Sequence, residues 1–140
     1  IAVMGGSMGG ANVLNWCKRN LASVACAVGL VPVSDISDIH TNNRGGLASN
    51  IDGAYGTWSE GTYGAARNPV TFAAAGDLAG LKYQAWAGAS DSVCLKATVQ
   101  SVVTSIGGTA EYNEVAGEHT PAVANITPAM VVAFIDANQT

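Results

Sequence analysis

The chain has 140 residues, 49% of them hydrophobic and only 11% charged, with a formal net charge of −4. A chain of that length hides roughly 68% of its unfolded surface, enough for one domain with a substantial core, and this composition excludes a disordered or coiled-coil segment. The 6 basic residues are scattered, only Lys18 and Arg19 being adjacent, and leave no electrostatic footprint for nucleic acid or an anionic membrane, and no apolar run approaches the roughly 20 residues of a membrane-spanning helix.

Residues 1–4, IAVM, read as a short buried strand, and GGSMGG follows. The pattern then turns helical, with Val13, Leu14, Cys17 and Leu21 on one face and Lys18 and Arg19 opposite. Residues 23–33, SVACAVGLVPV, are almost continuously small or β-branched and apolar, as a parallel strand covered on both faces requires, and Pro32 limits it. Residues 34–80 change texture to polar and glycine-rich, with Tyr55, Trp58, Tyr63 and Phe72 spread through them and no sustained period. That is too long for a plain connection, so a lid-like insertion with short helices is expected, one of them opening at Asn68-Pro69.

Regularity returns with LKYQAWAG, residues 81–88, a strand running into ASDS. From Val93 onward Val99, Val102, Val103 and Ile106 share a helix face, and Gly107-Gly108 supplies the stop. Residues 109–117 alternate and carry Glu111 and Glu114, which suits an edge strand protected by charge. A last helix is capped by Thr127, has Pro128 at its first position and turns Val131, Phe134 and Ile135 inward. The 3 cysteines, Cys17, Cys26 and Cys94, fall inside expected helix and strand segments and read as small core residues, with no disulfide framework.

This alternation predicts an α/β protein, a parallel sheet with helices on both faces. Its first strand would be an open apolar edge, a template for aggregation. A chain opening on Ile1 is expected to have lost its beginning, and a missing N-terminal segment or another chain is expected to pair with the strand at 1–4.

The chemistry centres on Gly5-Gly6-Ser7-Met8-Gly9. A serine held proud on a sharp strand-to-helix turn is a usable nucleophile, and its neighbours two positions away, Gly5 and Gly9, must then be small. The Met8 amide, at the start of the following helix, suits the negative charge that develops on a substrate oxygen. The competing readings are a phosphate-binding loop or a plain tight turn, although the glycines fit neither Gly-x-Gly-x-x-Gly nor the lysine-bearing phosphate loop. A serine nucleophile needs a base and an orienting acid. Of 2 histidines, His40 lies in the irregular stretch, whereas His119 directly follows the last strand, in a loop. Asp91 follows the preceding strand at its carboxyl end, where open α/β sheets place their sites.

Ser7, Asp91 and His119 therefore occur in that chain order, each just beyond a strand. On these residues the sequence resembles the carboxyl-terminal part of an α/β-hydrolase of the esterase and lipase type, over essentially all of residues 1–140. The resemblance implies that Ser7 is the nucleophile, His119 the general base and acid, Asp91 the orienting carboxylate and Met8 a backbone oxyanion donor. It implies an ester or similar acyl substrate, either small molecule or polymer, and neither metal nor organic cofactor. The family's first strands and its second oxyanion donor would precede Ile1. Some members carry the acid after the strand that follows the nucleophile helix, which makes Asp35 or Asp38 the alternative; a carboxylate there more often caps a helix. The 34–80 stretch falls where the family inserts a lid, so Tyr55 and Trp58 either line a substrate pocket or belong to the insertion's own small core. NNRGGLASNIDGAYG, residues 42–56, is similar to hydrolase-like domains of actinobacteria and of the virions and tails of their phages. The alternative function is accordingly a structural or receptor-contacting module of a larger assembly.

Overall fold

The computed structural model describes residues 1–139. Strand β1 (Ala2–Gly6) leads through Ser7 into helix α1 (Met8–Asn20), and β2 (Cys26–Leu30) follows. The chain then makes α2 (Ile36–Thr41), α3 (Ala48–Tyr55), the short α4 (Ala65–Arg67) and α5 (Pro69–Ala74) before β3 (Tyr83–Gly88). Helix α6 (Lys96–Ile106), β4 (Ala110–Val115), α7 (His119–Asn125) and α8 (Pro128–Asn138) complete it. The sheet is parallel in the order β1-β2-β3-β4, with Gly5 opposite Gly29, Gly29 opposite Ala85 and Ala85 opposite Tyr112. All four carboxyl ends thus open on one rim.

Alternation along the strands explains the layers. Ala27, Tyr83, Ala85 and Ala87 face Leu14 and Cys17 of α1, Phe72 and Ala73 of α5, and Val99 and Val102 of α6. Cys26, Val28 and Trp86 face the other way, onto Val131 and Phe134 of α8. Every residue of β3 is buried, whereas β4 is half exposed as a charged edge should be. β1 is the other edge: Ile1 is 69% and Met4 54% exposed, and apolar grooves flank it on both faces, beside Val13 and Trp16 of α1 and beside Val131 and Ile135 of α8. Among the described residues no single helix is long and apolar enough to cross a membrane.

Several boundaries differ from the sequence reading. Strand β2 is shorter than 23–33 because a 3₁₀ turn takes Leu21–Ser23 and Val31 turns to φ 42°, a costly value for a β-branched residue. Helix α6 begins at Lys96, not Val93, because the Asp91 carboxylate captures the N–H groups of Val93 and Cys94; Cys94 consequently sits in a loop, though still buried. His119 opens a short helix where a loop was expected. Within 34–80, α5 packs into the main core against α6, while α2, α3 and Trp58 form a separate core with Val33, Ala11 and Cys94. Asn68 joins the two: its Oδ1 accepts from the Ile36 N–H at 2.8 Å and its Nδ2 donates to Asp35 and Glu60.

Candidate active site

Ser7 has φ 50° and ψ −126°, a conformation that non-glycine residues avoid and that costs about 1–3 kcal/mol unless its surroundings impose it. Here they do. The Ser7 N–H donates to the Leu30 carbonyl at 3.0 Å, and the Ser7 carbonyl accepts from Val33 and Gly10, both at 2.9 Å. A Cβ on Gly5 would lie 2.6 Å from the Gly9 carbonyl carbon, so the turn closes only over glycine there. Gly9 itself has open space around its Cβ direction. The second steric requirement falls instead on Gly10, where a Cβ would lie 2.8 Å from Pro32 Cα, so the expected Gly5 and Gly9 pair becomes Gly5 and Gly10.

The structure brings Ser7, Asp91 and His119 together. His119 Nδ1 lies 2.8 Å from Asp91 Oδ2, and its Nε2 lies 2.9 Å from Ser7 Oγ. A carboxylate only accepts, so Nδ1 carries the proton and Nε2 presents a lone pair to the serine hydroxyl. The Asp91 side chain is fully buried, and its Oδ1 accepts from Val93 and Cys94 at 2.9 and 2.8 Å, which fixes the carboxylate behind the imidazole. Met8 opens α1 directly after Ser7, so its N–H is one of the helix's first and has no intrahelical carbonyl to serve.

Contacts that sequence reasoning missed hold the loops of Asp91 and His119 against each other. Ala89 and Ser90 donate their N–H groups to the carbonyls of Val115 and Gly117 at 2.8 and 3.1 Å. Glu118 Oε2 accepts from both the N–H and the hydroxyl of Ser92, at 3.1 and 3.0 Å. Gly88 lets α7 approach, since a Cβ there would lie 2.8 Å from Ala122 Cβ and 2.9 Å from the Gly117 carbonyl. None of these residues belongs to a local motif, and only their positions beside Asp91 and His119 in the chain hinted at them.

The chain resembles solved structures at low identity. It aligns with carboxyl esterase 2 of the mycorrhizal fungus Tuber melanosporum at TM-score 0.64 and 15% identity, over 98% of this chain and 51% of that one. A thermostable esterase from Pseudomonas putida gives 0.63 and 18%, over 98% and 49%; puromycin hydrolase gives 0.62 and 20%, over 87% and 19%. The chain has the α/β-hydrolase fold. It spans about half the length of those esterases and about a fifth of puromycin hydrolase. No protein-family model and no curated protein matches it.

In this hydrolase fold the remaining candidates separate clearly. Asp35 caps α2: its Oδ1 accepts from the Asp38 N–H at 3.1 Å and from Asn68 at 2.9 Å, while Asp38 pairs with Arg44, so neither alternative acid reaches His119. Tyr55 lines a cavity of about 480 Å³ beside Ser7 and Met8. Trp58 does not; it is buried, its indole N–H donates to Ser37 Oγ at 2.8 Å, and it packs on Tyr55 and Tyr63 with ring centroids 4.9 and 5.7 Å away. The indole supports the wall because its N–H finds its partner inside the insertion. Asp91, Cys94 and His119 bring ligand-type atoms within 4.8 Å of one another, but burial pushes the Cys94 thiol far up and both Asp91 oxygens are engaged, a poor donor set for a metal that needs thiolate.

Proposed function

We propose that the chain carries the catalytic part of a serine hydrolase that cleaves an ester or related acyl bond. The observation that carries this reading is the continuous relay of Asp91 Oδ2, His119 Nδ1–H, His119 Nε2 and Ser7 Oγ, at 2.8 and 2.9 Å. As Ser7 Oγ attacks the carbonyl carbon, its proton passes to His119 Nε2, and Asp91 stabilises the imidazolium. The oxygen of the tetrahedral intermediate takes the Met8 N–H. Its collapse breaks the bond to the alcohol, which leaves with the proton from Nε2, and an acyl-Ser7 remains. Water, deprotonated by the same nitrogen, then attacks the acyl carbon and releases the carboxylic acid with Ser7 restored. The names of the neighbours, two esterases and a hydrolase, support the same class of reaction.

Such a site uses two oxyanion donors, and losing one costs about 10²–10³ in rate. We place the second on a segment that pairs with the free edge of β1, where backbone groups stand unpaired between two apolar grooves. A fluorophosphonate probe tests the core of the reading. Labelling of Ser7 that vanishes in Ser7→Ala and falls sharply in His119→Ala is the expected result. Absence of labelling in the full-length protein would favour the architectural alternative, and saturable nucleotide binding at the glycine turn would favour a phosphate cradle.

A further inference from the structure

Helix α3 has an unusual situation for a helix of the insertion. Leu47, just before it, and Asn50, Ile51, Ala54 and Tyr55 recur at i, i+3, i+4, i+7 and i+8, which is one helix face. That face fronts the cavity of about 480 Å³, opposite Ser7 and Met8, in the size range of pockets that hold small molecules. The acidic residue of α3 is turned away: Asp52 Oδ1 accepts from the Trp58 N–H at 2.8 Å and pairs with His40 at 2.8 Å. Among the described residues no Lys, Arg, Asp or Glu lines the cavity, and its polar side chains besides Ser7 are the neutral amides of Asn12 and Asn50 and the Tyr55 phenol.

From this we infer that α3 is the specificity element of the site and selects substrates whose arm beside the scissile carbonyl is uncharged and largely apolar. The inference rests on the serine-hydrolase reading. A charged arm seated on Ile51 and Tyr55 would shed part of its water without meeting an opposite charge, a cost that a neutral arm does not carry. A neutral alkyl or aryl arm meets Ile51, Ala54 and the Tyr55 ring, and the tyrosine is held in place by Tyr63, whose hydroxyl donates to the Tyr55 carbonyl at 2.6 Å.

Matched esters test this in the full-length protein. One pair differs in the acyl arm, 4-nitrophenyl hexanoate against the mono-4-nitrophenyl ester of adipic acid; the other differs in the alcohol, 3,3-dimethylbutyl butyrate against choline butyrate. In at least one pair kcat/KM is expected to favour the neutral member by about 30-fold or more, and the pair that discriminates identifies the arm seated on α3. Ala54 is exposed in the last turn of α3, where a lysine is a good helix former and complements the helix dipole, so Ala54→Lys is expected to fold and to narrow an acyl-arm preference about tenfold or to widen an alcohol-arm one. Equal kcat/KM within both pairs, or a ratio untouched by Ala54→Lys, overturns the inference. Failure of Ser7 to take the fluorophosphonate overturns the hydrolase reading instead. The pocket is then judged by binding of the same esters to Ser7→Ala, where intrinsic fluorescence reports the same preference or, by its absence, removes the inference.

Discussion

The molecule contains two histidine–aspartate pairs at the same 2.8 Å separation, and only one of them has its second ring nitrogen on a hydroxyl. His119 uses Nδ1 on Asp91 and thereby aims Nε2 at Ser7, at the rim where four parallel strands end. His40, in the insertion, spends Nε2 itself on Asp52 and joins α2 to α3. Asp91 has a fully buried side chain gripped by two backbone N–H groups, whereas the Asp52 side chain is 41% exposed. An imidazole beside a carboxylate is thus an ordinary surface tie until burial fixes the acid and a hydroxyl meets the second nitrogen.

The largest test of that contrast removes the relay. Ser7→Ala should lower kcat for 4-nitrophenyl butyrate by about 10⁶-fold, and Asp91→Asn by about 10⁴-fold with circular dichroism unchanged, since the amide leaves His119 in the wrong tautomer. His40→Ala and Asp52→Asn, the corresponding changes in the other pair, should each leave kcat/KM within about twofold, because neither side chain reaches Ser7 and a half-exposed pair contributes little. A rate loss for His40→Ala comparable to that for Asp91→Asn would erase the distinction.

The turn under Ser7 gives a smaller but sharper reading. Gly5→Ala and Gly10→Ala push a methyl into the Gly9 carbonyl and Pro32, and each should cost about 1–3 kcal/mol in denaturant unfolding. Gly9→Ala meets nothing and lies in a helix, so it should be neutral or stabilising by up to about 1 kcal/mol. If Gly9→Ala is the worst of the three, Gly9 and not Gly10 is the second glycine that the turn requires.

The insertion has its own acid response. Burial pushes the Glu60 carboxyl up, but hydrogen bonds from Ser37, Thr71 and Asn68 outweigh it and hold the group below its ordinary value of 4.5. A lowered carboxylate stabilises the fold fully above that ordinary value and loses the contribution as pH falls through the lowered one. Near-ultraviolet circular dichroism of the Tyr55–Trp58–Tyr63 cluster should therefore fade in acid below about pH 4.5, and in Glu60→Gln the transition should weaken or disappear. An identical acid transition in both proteins would place the response elsewhere.

The sequence alone carried whatever depends on neighbours in the chain. Apolar runs marked the first three strands and charged alternation the fourth, helical spacing of apolar residues marked α1 and α6, and the glycine turn after a strand marked Ser7, because strand, turn and helix are local patterns. The order Ser7, Asp91, His119 was legible for the same reason, each residue lying just past a recognisable strand. Tertiary structure decided what depends on distant atoms: that Asp91 and not Asp35 backs His119, that Pro32 makes Gly10 rather than Gly9 the second indispensable glycine, and that Trp58 turns into the insertion while Tyr55 lines the cavity. The face of α3 was hidden because helix and cavity are joined only through space; its five positions form a stripe, but what the stripe faces is set by the packing of the insertion over Ala11 and Cys94. A side chain's type is written in the chain, but the partner that gives it a role is reached only when the sheet closes.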